Sequence, residues 1–241
     1  MFGIDEWIIH LPGDSFVFVV FVAVLLGLRH ATDPDHLSAM LTLRISRQQK
    51  FPMRIGAAWG VGHAATRLIV GIPLILLVAE LPSGVQIGLE FAVGVMISVL
   101  ALRAIWASMR FTSHDHKHAH HEIGAHAHIH IHGPTDHDHK IRTPLGALAI
   151  GLLHGAGGSA GVVALILGRM NDSWTAIAAL CVIAVFSGVS MALLSWAMYR
   201  GLDRVAPRIG AKNITMIGGL LTLAFGIWYC AASLEAVWYP F

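Results

Sequence analysis

The chain has few charged residues. Only 12% of its 241 residues are Asp, Glu, Lys or Arg, whereas 56% are hydrophobic and the mean hydropathy is +0.67. A soluble domain of this size would be much more charged. The composition therefore predicts an all-α polytopic membrane protein, with the lipid bilayer as its surroundings. Because the formal net charge is only +2, we expect no nucleic-acid partner.

Cysteine and N-terminal basic residues are also scarce. Residues 1–15 have no basic start and carry three acidic residues, so they do not resemble a cleavable secretory signal. We therefore expect the first apolar run to remain in the mature protein. Cys181 and Cys230 both fall in apolar stretches, where a small packing role is usual, and they do not indicate a compartment.

Six apolar stretches are long enough to cross a bilayer, whose hydrocarbon core of ~30 Å requires about 20 residues per helix. They lie at approximately 16–42, 55–80, 85–108, 144–168, 174–199 and 213–237. Lys and Arg are concentrated in the first, third and fifth connections between these stretches. This pattern predicts that those connections face the cytoplasm and that both termini lie outside it.

The two halves of the chain share a pattern. Gly27-Leu28-Arg29-His30 resembles Gly151-Leu152-Leu153-His154, and a tryptophan follows each histidine after 76 residues (Trp106) or 74 residues (Trp228). Because each half holds three spans, the pattern predicts two inverted three-helix repeats, as in many secondary transporters. The alternative is chance similarity between Gly- and Leu-rich helices. The predicted organisation is a first repeat, a cytoplasmic loop and a second repeat, at 1–110, 111–142 and 143–241.

Five ionisable residues follow the first apolar run within eight positions. They are Arg29, His30, Asp33, Asp35 and His36. A charge at the bilayer centre costs ~2.5 to 3.5 kcal/mol, so such residues usually face a bundle interior or a substrate pathway. Pro34 should kink or open the helix here and free the carbonyl of His30, so that this carbonyl, the two imidazoles and the two carboxylates can converge on one polar pocket. Imidazole and carboxylate ligands suit a divalent first-row transition metal. The alternative is a salt-bridged hinge.

Two further histidines are candidate ligands. At ~1.5 Å rise per residue, His36 and His63 lie roughly 12 to 14 Å from the cytoplasmic face, whereas His30 and His154 lie roughly 18 to 21 Å from it. These depths predict a polar track across the inner half of the membrane. His154 is alternatively a histidine satisfied by hydrogen bonds between helices. Arg67 is expected either to balance an aspartate of the cluster or to snorkel outward.

The loop at 111–142 is rich in histidine. Its eleven histidines are His114, His116, His118, His120, His121, His126, His128, His130, His132, His137 and His139. Such a tract binds transition metals but builds no packed core, so we expect disorder without metal. The imidazoles are mostly neutral at cytoplasmic pH and available as ligands. The loop is interpreted as a store, sensor or acceptor for metal, or alternatively as a solvated linker.

Two motifs resemble those of the nickel/cobalt transporter family of bacterial and fungal membranes. His30, four residues, then Asp35 and His36 match its HX4DH signature, and Gly62-His63-Ala64 is similar to its Gly-His-Ser signature. The resemblance implies a permease for Ni2+ or Co2+, with His30, Asp35, His36 and His63 at or near the selectivity site. Asp33 also has a counterpart in the common form of the first motif.

The chain departs from that family in its second half. The typical eight-helix member carries an Asp and a Glu in a later helix, where this chain has GLLHGAGGSAG. It therefore resembles a short six-helix relative, in which His154 takes the place of the missing carboxylate. The wider group includes nickel/cobalt efflux proteins with similar histidine-rich loops, so the resemblance favours uptake but leaves efflux open.

These observations predict a non-enzymatic permease of the bacterial cytoplasmic (inner) membrane. A divalent ion would gain ~4.6 kcal/mol per 100 mV on entry, and no Gly-rich Lys-Ser/Thr signature of ATP binding occurs, so transport is expected to be secondary or potential-driven. No resident cofactor is expected, and a cytoplasmic metal acceptor is a possible partner. The alternatives are an intramembrane acyltransferase using His30 and Asp35, a metal-dependent hydrolase, and an accessory or sensing protein that binds metal without moving it.

Overall fold

The computed structural model describes residues 16–44, 52–79, 81–109, 112–118, 126–132, 143–157 and 172–235. Within these ranges the helices are α1 (Phe16–His30), α2 (Pro34–Arg44), α3 (Pro52–Leu77), α4 (Ser83–Met109), α5 (Pro144–Gly157), α6 (Ser173–Ile209) and α7 (Ala211–Ser233). The strands are β1 (Thr112–His118) and β2 (His126–His132).

The long helices are those of a multi-pass membrane protein. The helices α3, α4, α6 and α7 are each long and apolar enough to cross a bilayer, and α1 with α2 forms a bent pair that makes a fifth span if counted as one. These five match the predicted stretches. The remaining stretch, at 144–168, is described only as the shorter apolar helix α5, and its second half lies outside the described residues.

The first span breaks where Pro34 was predicted to kink it. Helix α1 ends at His30, α2 begins at Pro34, and their axes differ by 43°. Proline suits the first turn of a helix because its missing N–H has no partner there anyway. The carbonyl of His30 is not left free, since it accepts a hydrogen bond from the N–H of Asp33 at 3.2 Å. That carbonyl is therefore engaged locally rather than turned into the site.

Helix α6 is longer than predicted. It continues from Ser173 to Ile209, whereas the predicted span ends at 199 and a basic loop follows. Arginine is a good helix former, so basic residues alone do not end a helix. The helix ends at Gly210, whose positive φ of 86° favours glycine. At the other end, the Asp172 side chain caps the helix by accepting from the N–H of Thr175 at 2.9 Å, which lowers the pKa of Asp172.

The halves of the chain pack against each other reciprocally. Helix α1 lies mainly against α6, α5 lies mainly against α3, and the pairs α3 with α6 and α4 with α7 make the other large interfaces. A Cβ atom at Gly27 would meet the backbone of Ile183 on α6, and one at Gly151 would collide with the carbonyl of Trp59 on α3. The two matching tetrapeptides therefore use glycine in the same way, to let each helix approach a helix of the other half.

Two segments of the histidine loop, β1 and β2, are the strands found among the described residues. β1 and β2 pair antiparallel, with His114 opposite His130, His116 opposite His128 and His118 opposite His126. The expected disorder is therefore wrong for these two segments, whose strict alternation has the two-residue period of a strand. Of the other loop residues that were named as metal ligands, four lie outside the described residues: His120, His121, His137 and His139.

Candidate metal site

Four histidines from four helices meet inside the bundle. The rings of His30 (end of α1), His36 (α2), His63 (α3) and His154 (α5) have centroids 4.2 Å apart for His36 and His154, 4.3 Å for His30 and His36, and 5.0 Å from His63 to both His30 and His36. His36, His63 and His154 are buried, with at most 2% of each residue exposed. We refer to these four residues as the histidine cluster.

The cluster is more compact than the track predicted from depth. Counting along a straight helix separates His30 from His36, but the break between α1 and α2 turns the chain and brings the two rings together. His154 likewise lies only 5.8 Å from His63 between ring centroids. The rings therefore meet as predicted from the break at Pro34, although a count along a straight helix separates them.

Asp35 links the two halves of the chain within the cluster. Its Oδ1 accepts from Nδ1 of His36 at 2.8 Å, and its Oδ2 accepts from Nε2 of His154 at 2.9 Å. A carboxylate that accepts from one ring nitrogen fixes the tautomer and raises the basicity of the other nitrogen. His154 is thus hydrogen-bonded to a residue of another helix, which was predicted as the alternative to a role as metal ligand. The same bond leaves its Nδ1 as a potential ligand atom.

Three ring nitrogens of the cluster lack a hydrogen-bond partner in the described part of the chain. They are Nε2 of His36, Nδ1 of His63 and Nδ1 of His154, all buried. Since Asp35 takes the ring N–H of His36 and of His154, these two unpartnered nitrogens carry lone pairs. Buried polar groups in proteins normally have partners, so three orphaned nitrogens within one cluster are unusual. Unpartnered imidazole lone pairs in a buried site are suitable ligands for a metal cation.

His30 is held by two other charged residues. Its Nδ1 lies 3.0 Å from Oδ2 of Asp33, and its Nε2 lies 2.8 Å from Nη2 of Arg67. Arginine only donates, so Nε2 of His30 accepts and Nδ1 carries the hydrogen that Asp33 receives. Nε2 of His63 lies 3.0 Å from the same His30 nitrogen. Arg67 points inward and is 0% exposed, so the outward alternative for it is wrong.

Asp33 lies at the edge of the cluster. Its Oδ1 pairs with Nη2 of Arg29 at 3.1 Å, and the two side chains are 26% and 19% exposed. Asp33 is not among the residues whose candidate ligand atoms lie within 4.8 Å of one another. Its contact with Nδ1 of His30 instead supports the orientation of that ring. Arg29 and Asp33 therefore form a salt bridge at the break, as the alternative of a salt-bridged hinge predicted. The other three ionisable residues of this segment belong to the candidate metal site.

The candidate ligands form two groups that share His36. One group is His30, His36 and His63, and the other is Asp35, His36 and His154. Within each group, one ligand atom from every residue lies within 4.8 Å of the others. Imidazole nitrogen, with or without a carboxylate oxygen, suits divalent nickel, cobalt, copper, iron or zinc. The structure thus brings together five of the six residues named from sequence as the metal site, with Asp33 beside them.

Sequence reasoning missed Trp59. This residue is fully buried, and its ring lies 5.6 Å from that of His36 and 5.4 Å from that of His154. A signal was present, because Trp59, His63 and Arg67 are spaced by four residues and therefore share one face of α3. Its indole N–H has no partner among the described residues. Trp59 forms an aromatic wall of the cluster.

No protein-family model and no solved structure matches the chain. Among curated proteins, the chain is similar to the urease accessory protein UreH of Bacillus sp. (strain TB-90). The two are 28% identical over 220 residues, which cover 88% of this chain and 90% of that protein. The similarity therefore extends over both halves of the chain and is not confined to the motifs around the histidine cluster.

Proposed function

We propose that the chain is a permease that moves Ni2+, Co2+ or both across the bacterial cytoplasmic membrane, most readily into the cytoplasm. The observation that carries this proposal is the buried histidine cluster, which with Asp35 forms two groups of candidate ligands at the junction of the two halves, each with its ligand atoms within 4.8 Å of one another. A buried set of nitrogen ligands of this kind inside a membrane bundle is typical of an ion pathway. The similarity to a urease accessory protein supports a nickel-related role.

We further propose six spans arranged as two inverted three-helix repeats. The reciprocal packing supports this arrangement, since the first helix of each half lies against the second helix of the other half. Gly27 and Gly151 occupy corresponding positions in those two interfaces. A binding site between the repeats, near the middle of the membrane, is the usual position in transporters of this type. Rocking of one repeat against the other would then separate Asp35 from His154 and open the site.

In the proposed cycle, a hydrated cation enters from outside and exchanges water for ring nitrogens of the cluster. The interior-negative potential favours entry by ~4.6 kcal/mol per 100 mV for a divalent ion. The histidine loop, or a separate cytoplasmic acceptor, then takes the ion. Residues 111–142 contain eleven histidines, which suits such a store. The same loop favours efflux as the second candidate, with the loop collecting ions for export.

An enzymatic function has less support from the geometry. An acyltransferase would pair His30 as general base with Asp35 as its orienting acid. In the structure the partner of the His30 ring is Asp33, whereas both oxygens of Asp35 are engaged by His36 and His154. We therefore propose a non-enzymatic role. A protein that binds metal without moving it stays a candidate, because the similar Bacillus protein is named an accessory protein.

The test is Ni2+ flux into proteoliposomes under an imposed interior-negative potential, with orientation determined by proteolysis of the histidine loop. We expect saturable influx that His36→Ala abolishes. His10→Ala is the matched control, because His10 is the histidine outside both the cluster and the loop. Metal binding without flux in either orientation would select the sensing role. Flux that requires ATP, or that survives His36→Ala, would overturn the proposal.

A further inference from the structure

Arg67 is a permanent positive charge enclosed with the candidate ligands. Its side chain is 0% exposed, and a guanidinium stays protonated inside proteins. Burying such a charge is unfavourable unless it has partners. A fixed cation beside a cation site also raises the free energy of a bound ion. Arg67 therefore opposes metal binding. A site that served only to bind metal tightly would have no use for a buried positive charge.

The contacts of Arg67 show how it opposes binding. Nη2 donates to Nε2 of His30 at 2.8 Å, and Nη1 donates to Oγ of Ser187 on α6 at 3.4 Å. The guanidinium thus occupies the lone pair that His30 would offer to a metal in its group with His36 and His63. His30 keeps its orientation independently, through Asp33 at 3.0 Å. Arg67 is consequently not required to position the ring.

We propose that Arg67 is the resident cation of the ion-free state, which the transported ion must displace from His30 before it binds all three histidines of that group. This inference rests on the proposed function and deepens it. By competing for His30, Arg67 weakens binding and allows the ion to leave. The group of Asp35, His36 and His154 has a carboxylate instead, so the ion resides preferentially there, and His36 passes it between the two groups.

The contact with Ser187 adds a link to the other half of the chain. Ser187 is fully buried on α6 and belongs to the surface against which Gly27 packs. When Arg67 leaves His30, Ser187 provides a hydroxyl to which the guanidinium is already hydrogen-bonded. Displacement of the resident cation is thereby coupled to the interface between the halves.

The test compares Ni2+ binding by the full-length protein and by Arg67→Met, which keeps an unbranched apolar stem and removes the charge. Binding is read from quenching of tryptophan fluorescence, and the component lost in Trp59→Phe reports the cluster separately from the histidine loop. We expect Arg67→Met to lower Kd for Ni2+ roughly tenfold or more, because the repulsion between the charges is removed. It should also lower maximal flux in proteoliposomes, because the ion is held too long.

Three further variants make the result specific. Arg67→Lys keeps the charge and should leave Kd near the native value, and Arg67→Gln replaces Arg67→Met if the latter does not fold. Arg29→Met is the matched control, since Arg29 is a nearby arginine that pairs with Asp33 at 3.1 Å. It should change Kd much less than Arg67→Met does.

The outcomes separate the two proposals. If the native protein shows neither cluster quenching nor flux, the proposed function is overturned, and this inference with it. If the native protein binds and transports Ni2+ but Arg67→Met leaves Kd unchanged or raises it, only the inference about Arg67 is overturned. Tighter binding together with slower flux in Arg67→Met, and not in Arg29→Met, supports it.

Discussion

Replacing Gly151 by alanine tests the packing that positions the histidine cluster. A Cβ atom at this residue would collide with the backbone carbonyl of Trp59 and lie 2.8 Å from Cδ1 of the same residue. A backbone atom cannot rotate away, so α5 must move off α3. Overpacking of this kind destabilises by about 1 to 3 kcal/mol. His154 lies one turn further along α5, so the same shift should disturb its contact with Asp35.

Gly88→Ala is the matched control, because nothing lies within 4 Å of a Cβ atom at that residue of α4. Alanine in an open helical position stabilises relative to glycine by roughly 0.5 to 1 kcal/mol. The two variants should therefore change the free energy of unfolding in opposite directions. Equilibrium unfolding in mixed micelles measures both. If Gly151→Ala is as stable as Gly88→Ala, the close approach of α5 to α3 is refuted.

The remaining predictions concern single side chains. Asp35→Asn should weaken Ni2+ binding about 10- to 100-fold, because an amide has one acceptor oxygen, whereas the ring N–H groups of His36 and His154 each require an acceptor. Calorimetry measures this affinity, and a native Kd in the variant would contradict the prediction. His154→Ala should weaken binding by a similar factor, with a native circular dichroism spectrum. An unchanged Kd would show that α5 contributes no ligand to the site. At the start of α6, Asp172→Ala should lower thermal stability at neutral pH. Because the cap lowers the pKa of Asp172, that difference should persist above the ordinary carboxyl pKa and vanish as the pH falls through the lowered value.

Much of the candidate site follows from the sequence because its residues lie close together along the chain. The break at Pro34, and the presence of His30, Asp35 and His36 around it, depend on local backbone chemistry. His63 was predicted to join them because a second helix was expected to enter from the same face and to place His63 at a depth similar to that of His36.

The rest depends on packing between distant segments. The hydrogen bond from His154 to Asp35 joins residues 119 positions apart, and the contact of Arg67 with His30 joins residues 37 positions apart. The length of α6 was underestimated because hydropathy marks where a helix leaves the membrane rather than where it ends. The compactness of the cluster has the same origin, because the break with its 43° bend brings together rings that a count along a straight helix separates.

The central claim is that the histidine cluster between the two halves binds the transported ion. X-ray absorption of Ni2+-loaded protein in which the eleven loop histidines are replaced by asparagine tests it most directly. We expect one bound Ni2+ per chain with several imidazole ligands, and loss of that signal in His36→Ala. Imidazole scattering that is absent from the loop-substituted protein, or that is unchanged by His36→Ala, would contradict the account.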